Sequence, residues 1–154
     1  MREHLPDDRE SVTHHFTILH LVGEELRRLP GYVVLGFYEK RSCKCVPPKS
    51  PCEWCDWPSD TPEPTRIGEV FVKLGKAGDE SAAVDQWAIA VSIALQHGAD
   101  GEALFRKFLG ARYEPAGRVE WSEGSEQPVE LAKCTSPTDY VARWVLARFY
   151  SETK

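Results

Sequence analysis

Residues 67–96 read IGEVFVKLGKAGDESAAVDQWAIAVSIALQ, and the apolar period changes partway along. From Ile67 to Leu74 the side chains alternate. Val70, Val72 and Leu74 fall on one side and Ile67, Glu69, Phe71 and Lys73 on the other, the two-residue period of a strand. Past Gly75-Lys76-Ala77-Gly78 the spacing becomes helical, with Asp79 or Ser81 as cap and Ala83, Trp87, Ala90, Val91, Ala94 and Leu95 as the apolar stripe. Gly98 is placed to end this helix.

Strand patterns precede the switch. Gly31–Tyr38 (GYVVLGFY) is dense in β-branched and aromatic residues, and Val12–Leu21 alternates less strictly. In the latter, His14 and His20 lie at opposite ends of the face carrying Phe16 and Ile18, with His15 on the other face. That spread favours strand-edge histidines over convergence on one ion. Residues 23–30 (GEELRRLP) read as a short helical or turn insertion, and 1–10 as a frayed polar end.

Helix patterns follow it. Asp100 caps a segment from Gly101 to Leu109 with Leu104, Phe105 and Phe108 as its core face and Gly110 as its stop. Residues 111–133 read as irregular. The last helix opens with Ser136 as N-cap, Pro137 at N1 and Asp139 at N3, and carries Tyr140, Val141, Trp144, Val145 and Phe149. Strands followed by helices imply an α+β fold: an antiparallel sheet of three strands or slightly more, with about three helices on one face. Residues 1–154 make one domain of ordinary size, able to bury a core unaided.

A proline-rich loop, 41–65, interrupts the second and third strands and holds four of the five cysteines: Cys43, Cys45, Cys52 and Cys55. A CxC pair and a CxxC pair separated by six residues can supply the four thiolates of a tetrahedral structural zinc site. Pro47, Pro48, Pro51 and Pro58 stiffen the loop and lower the entropic cost of bringing the pairs together. Disulfides, a redox dithiol at Cys52 and Cys55, or unrelated thiols are the alternatives.

The net charge of −5, without a basic run, argues against generic nucleic-acid binding. No apolar stretch is long enough for a membrane span, and the first residues lack a signal-peptide core, so a cytoplasmic protein is expected. No catalytic constellation is recognisable, and the chain is not expected to be an enzyme on its own. Two segments suit an anionic small molecule. Lys76 sits in a strand-to-helix turn where backbone N–H groups can face an anion. Arg112, Tyr113 and Arg118 flank a turn shaped by Pro115 and Gly117, where guanidinium groups can grip phosphate and the ring can stack on a base. The alternative is a structural arginine pairing with Glu114 or Asp139. Arg143 and Trp144 read as core-edge packing, and Cys134 as a buried or helix-start thiol.

The strings SVTHHFTI, GYVVLGFYE, IGEVFVKLGKAG, AVSIALQHG, ARYEPAG and AKCTSPTDYVARWV, in that order, resemble the C-terminal domain of adenosylcobalamin-dependent class II ribonucleotide reductases. That domain type is named for a Thr-Ser-Cys-Pro-Asp signature. In this chain, Cys134-Thr135-Ser136-Pro137-Thr138-Asp139 holds the same residue types in what reads as another order. The resemblance implies an accessory domain, because the radical chemistry of that family takes place in a large barrel that 154 residues cannot contain.

Three functions follow as expectations. The first is a zinc-stapled binding module that holds, and so can sequester, a nucleotide or nucleotide-derived small molecule through Lys76, Arg112, Tyr113 and Arg118. The second is a docking subunit for a separate reductase chain in deoxyribonucleotide synthesis. The third, ranked last, is a CxxC dithiol that re-reduces a partner. A homo-oligomer is compatible with all three.

Overall fold

The computed structural model describes residues 1–38, 66–75, 79–121 and 127–150. The architecture is α+β. Strands β1 (Ser11–Val22), β2 (Glu25–Phe37) and β3 (Ile67–Leu74) are followed by helices α1 (Asp79–Gln96) and α2 (Gly101–Arg106). Two short strands, β4 (Gly117–Glu120) and β5 (Lys133–Cys134), then flank a 3-10 turn at Val129–Leu131, and helix α3 (Pro137–Phe149) closes the order. The described strands form one five-stranded antiparallel sheet, β3-β2-β1-β4-β5. The helices share one face of it, and a single apolar cluster joins Phe16, Ile18, Leu35, Val72, Val91, Phe105, Tyr140 and Trp144.

Three local expectations are corrected. Residues 23–30 are not a helical insertion. They carry β2 back alongside β1 in unbroken register from Val22↔Glu25 to Ser11↔Gly36. The segment 111–133 is not wholly irregular, because Gly117–Glu120 pairs with β1, and Lys133–Cys134 with β4. The buried stripe of α1 is Val84, Ala88, Val91 and Leu95, while Ala83 and Ala90 face solvent. A helix apolar on most of its surface gives little sequence signal for which side meets the sheet. Here Ser92 fixes the facing: its Oγ accepts from Val70 N at 2.8 Å and lies 2.8 Å from the Ala88 carbonyl, tying α1 to β3.

Strand β3 places its alternating residues as the sequence implies, with Val70, Val72 and Leu74 buried. Ile67 departs from its row and is buried too, because the register with β2 shifts between Gly36 and Phe37. The first ten residues lack regular structure yet are tethered: Glu3 N donates to the Gln96 carbonyl at 2.8 Å, and Arg9 pairs with Glu69 at 2.6 Å. The second helix is shorter than expected, ending at Arg106, with Asp100 as its N-cap through Ala103 N at 3.1 Å.

Candidate functional site

Helix α3 begins in a densely bonded corner. Ser136 is extended (φ −170°), and its Oγ accepts from Asp139 N at 3.0 Å, the expected cap. The Asp139 carboxylate is completely buried and accepts from Gly110 N at 2.7 Å and Thr135 N at 3.0 Å. One helical turn on, Arg143 donates Nε at 2.9 Å to both carboxylate oxygens. One side chain therefore joins the loop after α2, the exit of β5 and the first turn of α3. Burial opposes ionisation of Asp139, but the Gly110 and Thr135 N–H groups and the Arg143 guanidinium outweigh it and hold the carboxyl below its ordinary value. The arginine that pairs with Asp139 is thus Arg143, neither Arg112 nor Arg118, and its role exceeds core-edge packing. It also lines a cleft of about 270 Å³ with Lys133, Cys134 and Thr135. Burial pushes the Cys134 thiol up to about 11, so it is a protonated, enclosed group at neutral pH.

The turn expected to hold a ligand lies beside this corner. Tyr113 donates its hydroxyl to Thr138 Oγ1 at 2.9 Å, which docks the turn on α3. Glu114 Oε2 accepts from Ala116 N at 3.1 Å across a cis Glu114–Pro115 bond. Gly117 has φ +150°, and a Cβ there would collide with the Leu19 carbonyl, so only glycine lets β4 approach β1 this closely. Arg118 is exposed, makes no ion pair among the described residues, and lines a cleft of about 400 Å³ with Leu19, Leu21, Leu26, Glu114, Ala116 and Gly117. Arg112 is exposed and does not line this cleft, and Tyr113 has its hydroxyl engaged. The structure therefore brings Arg118 together with three leucines that the sequence reading did not single out. Lys76 lies outside the described residues, as do Cys43, Cys45, Cys52 and Cys55.

His14 is the third feature. Its ring stacks on Trp144 (centroids 4.6 Å apart, planes 6° apart) and meets the edge of Trp121. Trp121 Nε1 donates to the Tyr140 hydroxyl at 2.7 Å, and that oxygen lies 2.8 Å from His14 Nε2. Burial, reinforced by the charges of Arg148 and His15, lowers His14 to about 4. The imidazole is therefore neutral through the physiological range, and its place is inside an aromatic cluster. Among the described residues no group of three or more His, Cys, Asp or Glu side chains could hold a metal, and no helix is long and apolar enough to cross a membrane.

Fold and site define a two-layer α+β domain with a buried carboxylate in the first turn of α3 and, among the described residues, open clefts beside Arg118 and Arg143. The chain belongs to the TSCPD domain family, which matches residues 60–150. Among curated proteins it is similar to the vitamin B12-dependent ribonucleotide reductase of Rhodopirellula baltica, 32% identical over 151 residues. That alignment takes in 97% of this chain and 11% of the relative. The reductases of Streptomyces avermitilis (38% over 78 residues) and Agrobacterium fabrum (35% over 79 residues) align with about half of it. The chain spans about a tenth or less of the length of these relatives. No solved structure matches.

Set against Thr-Ser-Cys-Pro-Asp without a gap, residues 135–139 of this chain coincide with it at three of the five places. Thr135, Ser136 and Asp139 occupy the first, second and fifth places of Thr-Ser-Cys-Pro-Asp, with Pro137 and Thr138 in the third and fourth. Of these, Ser136 is the N-cap and Asp139 the buried carboxylate of the α3 corner in this chain.

Proposed function

We propose that this chain is an accessory docking domain that works with a vitamin B12-dependent ribonucleotide reductase in deoxyribonucleotide synthesis. The observation that carries the reading is the alignment of nearly the whole chain with a segment making up about a tenth of one such reductase. A segment of that kind contributes by contact, and the domain's clefts and exposed apolar residues provide surface for it. The test is sedimentation velocity of the chain mixed with a purified B12-dependent reductase. Co-sedimentation supports the reading, and independent boundaries at tens of micromolar overturn it.

The reading placed first by the sequence, capture of a nucleotide-like molecule, now rests on Arg118, whose guanidinium is unpaired among the described residues beside an open cleft. A thermal-shift screen of nucleotides tests it. A rise abolished by Arg118→Ala supports it, and no shift with any nucleotide removes it. A zinc ion on Cys43, Cys45, Cys52 and Cys55 rests on ligand spacing alone. Elemental analysis giving one zinc per chain supports that site. Free titration of Cys52 and Cys55 in a metal-free native protein returns the dithiol reading.

A further inference from the structure

The β1–β2 ladder runs past the rest of the sheet. Strand β3 pairs with β2 from Gly31 to Phe37, and β4 pairs with β1 only from Thr17 to Leu19, yet β1 and β2 stay paired out to Val22↔Glu25. The distal ladder is a two-stranded arm, a form that is marginal in water without something to pack on. Its tip exposes large apolar side chains: Leu21 is 68% exposed, Leu26 57% and Val22 44%. Leu21 and Leu26 face each other in register and continue, with Leu19, into the cleft edged by Arg118. Clustered exposed apolar residues beside a cation are the usual composition of a protein-docking surface.

We propose that this arm and cleft are where the domain docks on the reductase body, receiving a segment that carries an apolar side chain next to a carboxylate. The proposal rests on the docking reading above and names its surface. Three observations select this occupant. Arg118 supplies a cation without an anionic partner among the described residues, which suits a carboxylate. It is the single cation in a lining otherwise apolar apart from Glu114, whereas a polyphosphate calls for several. Nearly the whole of this chain aligns with 11% of one such reductase, which leaves about nine-tenths of that relative to offer the partner surface.

The experiment is biolayer interferometry of the full chain against the B12-dependent reductase, comparing wild type with Leu26→Asp, Arg118→Glu and, on the far side, Ile93→Asp. All three side chains are exposed, so thermal melting verifies that each variant folds. Leu26→Asp and Arg118→Glu are expected to weaken binding at least ten-fold, and Ile93→Asp to leave it unchanged. Wild-type affinity in both arm variants overturns the surface while leaving the docking reading intact. No binding by wild type removes the docking reading itself. Self-association of wild type that Leu26→Asp abolishes, with reductase binding unaffected, assigns the patch to a second copy and overturns the proposal.

Discussion

Arg143 Nε lies 2.9 Å from both oxygens of the Asp139 carboxylate one turn earlier in α3, yet the two residues are unequal partners. Asp139 is completely buried and also satisfies two backbone N–H groups, whereas the Arg143 side chain is 38% exposed. Removing the acid strands the Gly110 and Thr135 donors as well as the guanidinium. Removing the arginine leaves the acid with two donors. Asp139→Ala is therefore expected to cost about 3 kcal/mol and Arg143→Ala about 1 kcal/mol in urea denaturation. Equal losses would contradict the assigned roles. Because the folded carboxyl is held below its ordinary value, its contribution is present above the unfolded pKa of about 4 and fades as pH falls through the folded value.

His14 gives a second pH dependence. It titrates at about 4 in the folded chain, against 6.5 as its ordinary value, so between those values the unfolded chain binds a proton that the folded chain refuses. Stability must fall as pH drops across that window, by on the order of 2 kcal/mol once solvent screening is allowed for. His14→Gln should flatten the decline between pH 6.5 and 4 in urea midpoints, and a slope identical to wild type would contradict the buried neutral imidazole.

Gly117 sets how closely β4 approaches β1. Its φ of +150° and the nearby Leu19 carbonyl leave no room for a Cβ, so Gly117→Ala should destabilise by roughly 2–4 kcal/mol. Thermal unfolding reads this. A melting temperature within a degree of wild type would show that the strands relax freely.

Cys134 is expected to be inert. A thiol pushed up to about 11 by burial has almost no thiolate at pH 8, so the native reaction with a disulfide reagent should have the same amplitude in wild type and Cys134→Ser. A missing equivalent in the variant would mean that the corner opens in the native state.

Two elements were legible in the chain because their signals are strong. Ile67–Leu74 shows its buried row in alternation, and Ser136, Pro137 and Asp139 mark the start of α3 residue by residue. The arm was not legible. Glu24, Glu25, Arg27 and Arg28 give no strand period, and pairing with β1 imposes the extended form. Strands β4 and β5 have four and two residues, too few for a pattern, and exist through their partners. Arg118 could be singled out in the string because it follows a turn shaped by Pro115 and Gly117, and the structure places it at the edge of a cleft. Leu19, Leu21 and Leu26 were missed because what distinguishes them is exposure at an unsupported ladder, which sequence does not carry.

Amide hydrogen exchange of the chain, alone and with a B12-dependent reductase, tests the docking account without choosing a residue in advance. The account predicts slowed exchange in residues 19–28 of the arm and 114–118 of the turn, with the α1 and α3 amides unchanged. No protection anywhere, or protection confined to the helices, would contradict it.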